Sequence, residues 1–113
     1  MIEVTNTYDL RPGVDLELYA KWSKQAAATI VRQPGLIELR ANRNMLGSPM
    51  IRTTTCWASL GDWARFAEGP WVEMEQTLRT FVANLKVEMW TASPVLPAPL
   101  HPADDDQAGS LGM

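Results

Sequence analysis

The chain is poor in the residues from which most catalytic centres are assembled. In 113 residues it holds one cysteine, Cys56, and one histidine, His101. A single thiol excludes a disulfide within the chain and suits a reducing compartment, so a cytoplasmic home is expected. With its one histidine in a proline-rich stretch, the chain has no Ser-His-Asp or Cys-His arrangement and no multi-histidine metal site. Neither G-x-G-x-x-G nor G-x-x-x-x-G-K-[ST] occurs, so nothing marks a nucleotide-phosphate loop. Charge is sparse as well: a net −3 at pH 7 offers no basic surface for nucleic acid. No apolar run approaches the roughly 20 residues of a membrane-spanning helix. Met1 to Thr5 show neither a basic leader nor the apolar stretch of a signal peptide. No cofactor, metal, nucleic-acid partner or membrane is therefore expected.

What the chain has is clear punctuation, in a length that suits one core. Ile2, Val4, Asn6 and Tyr8 alternate with Glu3, Thr5 and Thr7 as in a strand with two different faces, and Arg11-Pro12-Gly13 ends it. Asp15 can cap a helix running to about Arg32, where Gln33-Pro34-Gly35 stops it. On that helix Leu18, Trp22, Ala26 and Thr29 or Ile30 mark the buried stripe. Alternating runs at 36–43 and 50–58 flank a Gly47-Ser48-Pro49 corner and read as a β-hairpin. Ser59-x-x-Asp62 is a capping box opening the next helix, which Glu68-Gly69-Pro70 interrupts. A second helical segment runs from about Trp71 to Asn84, and Val87, Met89 and Thr91 alternate as a fourth strand. From Ser93 the chain turns to Pro94, Pro97, Pro99 and Pro102, followed by Asp104-Asp105-Asp106. Such a composition cannot offset its ordering entropy by burial, so an extended tail is expected. Residues 1–92 form one domain and 93–113 a Pro/Asp-rich tail.

The order β-α-β-β-α-β is the ferredoxin-like α+β arrangement, an antiparallel four-stranded sheet with helices on one face. Alternation places Ile2, Val4, Asn6, Tyr8, Ile37, Leu39, Ala41, Ile51, Thr53, Thr55, Trp57, Val87 and Met89 on the helix side. The other face carries Glu3, Thr5, Thr7, Glu38, Arg40, Asn42, Arg52, Thr54, Cys56, Glu88 and Trp90. Paired charges and a tryptophan there are neither an ordinary solvent face nor a core, which predicts a homodimer through this surface. Cys56 reads most simply as a small buried hydrophobe.

The helix-side face is more polar than a core prefers. Asn6 lies mid-strand between Val4 and Tyr8, and Thr53 and Thr55 lie beside Trp57. Each needs a partner if buried, since an unsatisfied amide or hydroxyl costs about 1 to 3 kcal/mol. Two readings stay open: neighbouring protein groups satisfy them, or they face a cavity that receives a polar ligand. Five tryptophans, Trp57, Trp63 and Trp71 among them, point to a flat, aromatic-lined pocket between helices and sheet.

This layout, with Pro34-Gly35 opening the second strand and the run Trp57-Ala58-Ser59-Leu60-Gly61-Asp62-Trp63-Ala64-Arg65-Phe66, resembles the antibiotic biosynthesis monooxygenase domains of the dimeric α+β barrel superfamily. The resemblance covers roughly residues 1–92. It implies a dimeric barrel and a cofactor-independent monooxygenase acting on a small phenol- or quinol-like aromatic. Asn6 and Trp63 match the asparagine and tryptophan that such enzymes, and haem-degrading members, place around the substrate, and so are implied as catalytic. Tyr8, Trp22, Thr55 and Trp57 complete the implied substrate-binding set. Haem-degrading members add an axial histidine shortly after that tryptophan; here the place falls at or near Glu73, so haem is not expected. Two alternatives stand beside this function: a non-catalytic dimeric ligand-binding or structural domain, and an isomerase or lyase on a small cyclic substrate with Glu73 or another carboxylate as base.

Overall fold

A computed structural model of the chain describes residues 1–102. Its elements are β1 (Ile2–Leu10), α1 (Leu16–Ile30), β2 (Leu36–Arg43), β3 (Ile51–Trp57), α2 (Leu60–Glu68), α3 (Pro70–Phe81) and β4 (Val82–Trp90). The helix starts are held as the sequence implies. Asp15 Oδ1 accepts from the Leu18 amide at 3.0 Å, and Ser59 Oγ accepts from the Asp62 amide at 3.1 Å while donating to Asp62 Oδ2 at 2.9 Å. The Pro34-Gly35 turn packs against this second cap. Gly35 has φ +83°, and a Cβ there would fall 2.2 Å from Asp62 Cγ, so both the backbone and the close approach require glycine.

The strands pair antiparallel in the order β2-β3-β1-β4, and helix side chains pack on one face of the sheet. Two clusters make the core. One gathers Tyr8, Leu78, Phe81 and Val82, with Tyr19 and Trp22 packed against it. The other gathers Val4, Trp57 and Phe66, with Ile30, Leu36 and Trp63 around it. Trp57 is fully enclosed; its ring stacks on Phe66 at 5.1 Å and its indole N–H donates to Thr55 Oγ1 at 2.8 Å.

Three sequence expectations shift in phase. The third helix ends at Phe81, not near Asn84, and β4 begins at Val82. The cause lies at the end of β1: the Arg11 side chain donates to Val82 O at 2.8 Å and Arg79 O at 3.0 Å, and its amide donates to Phe81 O at 2.9 Å. A guanidinium on the last carbonyls of α3 satisfies groups that further helix would have claimed. β4 then runs beside β1 with a bulge opposite Tyr8, where Asn84 takes φ 59° and its side-chain amide donates to Asp9 Oδ2 at 3.0 Å. A second bulge lies in β2: Leu36 faces Trp57 and Glu38 faces Cys56, leaving Ile37 unpaired. Leu36 therefore takes the inward place expected of Ile37, which is 56% exposed. On α1 the inward stripe contains Tyr19 where Leu18 was expected, and Leu18 is exposed.

On the opposite sheet face Arg40 bonds Glu3 at 2.7 Å and also pairs with Glu38, while Arg52 turns to Asn42. Cys56 is buried beneath this cluster, and burial pushes its thiol up, as suits a small packed group. Met45 and Leu46 project from the β2–β3 loop, which Asp9 anchors by accepting from Ser48 Oγ and the Met50 amide. After Trp90 no described residue lies in an α-helix or strand; Asp104, Asp105 and Asp106 lie outside the described residues. Among the described residues, no helix is long and apolar enough to cross a membrane.

Candidate functional site

α1 buries none of its side chains fully, because its inner face is built around the small residues Ser23, Ala26 and Ala27. Between it, the other helices and the sheet lies a cavity of about 380 Å³, within the size range of small-molecule sites. Its floor is the helix-side face of the two central strands: Val4, Asn6 and Tyr8 from β1, and Ile51, Thr53 and Thr55 from β3. Trp22 lines it from α1, Trp63 and Phe66 from α2, and Trp71 and Met74 from α3. Ala41 and the half-exposed Val87, at opposite edges of the sheet, mark where it meets solvent.

The polar groups of this cavity differ in how they are satisfied. Thr55 is taken up by the Trp57 indole. The Tyr8 and Tyr19 hydroxyls bond each other at 2.7 Å. Tyr8 is 3% exposed, and burial, reinforced by that bond, pushes its hydroxyl far above the ordinary tyrosine value, so it stays protonated. Asn6 sits between Thr53 and Val87 in the strand register, and its Oδ1 is buried with no hydrogen-bond partner. Asn6 is among the residues lining the cavity, and its Oδ1 is not bonded to the helix layer.

Five of the six expected site residues meet here: Asn6, Tyr8, Trp22, Thr55 and Trp63. Trp57 does not; it packs beneath the floor against Phe66 and Val4. It takes the inward position on β3 that alternation assigns, but α2 covers it completely. Tyr19, which the sequence stripe passed over in favour of Leu18, belongs to the lining; the clue was the buried Tyr8 hydroxyl, which needs a polar partner. Among the described residues no Asp, Glu, His or Lys lines the cavity. Arg40 borders it, but its side chain is held by Glu3 and Glu38 on the other face. Glu73 is exposed on α3, which removes it as a base for isomerase or lyase chemistry in this cavity and as a stand-in for a haem ligand. Among the described residues no cluster of His, Cys, Asp and Glu could hold a metal ion.

No protein-family model matches the chain, and no curated protein matches it significantly. Solved structures do. SnoaB, a cofactor-independent oxygenase from Streptomyces nogalater, is 17% identical with a TM-score of 0.70, over 86% of this chain and 97% of its own. An antibiotic biosynthesis monooxygenase is 8% identical with a TM-score of 0.71, over 83% and 100%. A protein of Arabidopsis thaliana is 12% identical with a TM-score of 0.72, over 88% and 100%. At such identities the likeness establishes a shared fold, and at that level it agrees with the resemblance carried by the sequence.

Proposed function

We propose that the protein is a cofactor-independent monooxygenase acting on a small, flat phenol- or quinol-like aromatic held between the helices and the sheet. The observation that carries this reading is the unpartnered Asn6 amide in an aromatic-walled cavity. A buried amide oxygen without a partner costs about 1 to 3 kcal/mol, a cost with no purpose in a purely structural domain. Its fold-mates named as oxygenases support the reading.

In this function Trp22, Trp63 and Trp71 hold the ring system, and Asn6 takes its acidic hydroxyl. Oδ1 accepts from the hydroxyl, and the amide turned about its last torsion donates Nδ2–H to the oxyanion. The substrate anion gives one electron to O₂; superoxide and the carbon radical combine into a C–O bond; the peroxide takes a proton and loses water. For a ring methylene the sum is CH₂ + O₂ → C=O + H₂O, with no electrons required from elsewhere. Since no carboxylate or imidazole among the described residues lines the cavity, the first proton leaves to water and the substrate must be acidic itself. Turnover should then rise with pH along the substrate's own ionisation.

Oxygen uptake over a panel of anthrone-like, quinol and flavonol compounds tests this. The parent should consume O₂ without added flavin, haem or metal, and Asn6→Ala should lower kcat roughly 100-fold. No uptake above background with any compound would remove the oxygenase reading. The missing base favours one second reading, a non-catalytic carrier of the same ligands, for which tight binding without O₂ uptake would be the signature.

The working form is proposed to be a cytoplasmic homodimer joined through the charged sheet face. Trp90, 54% exposed there, is the side chain a second copy would cover. Light scattering that gives a monomer at micromolar concentration would remove the dimer.

A further inference from the structure

The cavity holds a second polar point besides Asn6. When two hydroxyls bond each other, one O–H is spent and the accepting oxygen keeps its own proton, so the pair always retains one free donor. Tyr8 and Tyr19 are such a pair, 2.7 Å apart, and both line the cavity. Burial keeps Tyr8 protonated well past neutral pH, so the pair offers a neutral donor and not an anion. Asn6 and Tyr8 are two residues apart on the same face of β1, which sets their attachment points about 7 Å apart along the strand. The surface around them includes Val4, Ile51, Trp22 and Trp71. Arg40, the one charged residue that borders the cavity among the described residues, is already paired with Glu3 and Glu38 and so is not free to recognise a carboxylate.

We propose that the Tyr8–Tyr19 pair is a carbonyl-recognition point, making both residues specificity-determining and restricting the ligand to an uncharged fused-ring aromatic with a ring carbonyl set apart from its acidic hydroxyl. The inference rests on the cavity being an aromatic-ligand site, as above, but not on turnover. An acceptor facing this pair satisfies its free O–H; a ligand with only a hydrocarbon edge there leaves a buried donor unpaired and binds more weakly.

Two probes differing only in the carbonyl test it: 5-hydroxy-1-tetralone and 5,6,7,8-tetrahydro-1-naphthol. The full chain is titrated with each while following tryptophan fluorescence, to which Trp22, Trp63 and Trp71 report directly. The parent should bind the tetralone roughly 5- to 10-fold more tightly, the worth of one hydrogen bond. The Tyr8→Phe/Tyr19→Phe double variant should bind the two alike, while Asn6→Ala should weaken both and keep the preference. Equal binding by the parent overturns the carbonyl point and leaves the cavity reading standing, and it does so even if the double variant does not fold. A preference that survives in a folded double variant overturns it as well. Binding of neither probe removes it together with the reading it rests on.

Discussion

Thr55 and Asn6 are polar residues on the same face of the same sheet, on neighbouring central strands, and the fold treats them in opposite ways. Thr55 is buried and spends its hydroxyl on the indole of Trp57, beneath Phe66. Asn6 keeps a buried carbonyl oxygen without a partner. The difference follows from what covers each. Phe66 of α2 stacks on Trp57 at the Thr55 end, whereas α1 lines the cavity that Asn6 borders with the small residues Ser23, Ala26 and Ala27 between its larger Tyr19, Trp22 and Ile30. One polar group on this face is thus spent inside the protein, while the other keeps an oxygen unpartnered.

The comparison can be broken at its closed end first. Trp57→Ala should cost about 3 to 5 kcal/mol, because the largest sealed side chain is replaced by a void; urea denaturation should show it as a lower midpoint with little change in slope. A loss under about 1 kcal/mol would mean that the Trp57 region is no core. Thr55→Val should cost about 1 to 3 kcal/mol by stranding the indole N–H, read in the same assay. Next comes the open end: Asn6→Val should leave stability unchanged or raise it by up to about 1 kcal/mol, since an unpartnered polar atom gives way to a strand-favouring side chain. A clear loss there would make Asn6 a structural residue and erase the contrast. The smallest effect is a control outside both ends. The amide of Asn84, then Ser48, holds the Asp9 carboxyl below its ordinary value. A depressed carboxylate contributes stability that is present above the ordinary carboxylate range and lost as pH falls through the lowered value. The parent should therefore exceed Asp9→Ala slightly at pH 7, and the two should converge in acid.

Those features that depend on a few adjacent residues were legible in the sequence. Asp15 and Ser59 as caps, Pro34-Gly35 as a turn, the order of elements along the chain and the inward position of Asn6 all follow from local chemistry and alternation. What was not legible is set by distant partners. Arg11 claims the carbonyls at the end of α3, as far as 71 residues on, and nothing in 79–84 announces it. The bulges at Ile37 and Asn84 arise when an edge strand must match both its neighbour's register and the core, so simple alternation misplaced Ile37. Tyr19 was lost to Leu18 because hydropathy ranks leucine first, although a cavity wall values a hydroxyl. Trp57 showed the limit of face assignment: alternation tells which side of the sheet a residue takes, but not whether a helix seals it there.

The two bulges have a consequence for the protein's behaviour at high concentration. β2 and β4 are the outer strands of the sheet, and each carries its irregularity near its first residues. An outer strand with a flat, regular row of free amides and carbonyls is a template on which further strands can add without end. A bulge twists that row and puts two residues where an incoming strand would need one. Both flanks of this sheet are thus poor seeds for fibrous self-association, a protection that comes from the same irregularities that set the inward faces of Leu36 and Val82.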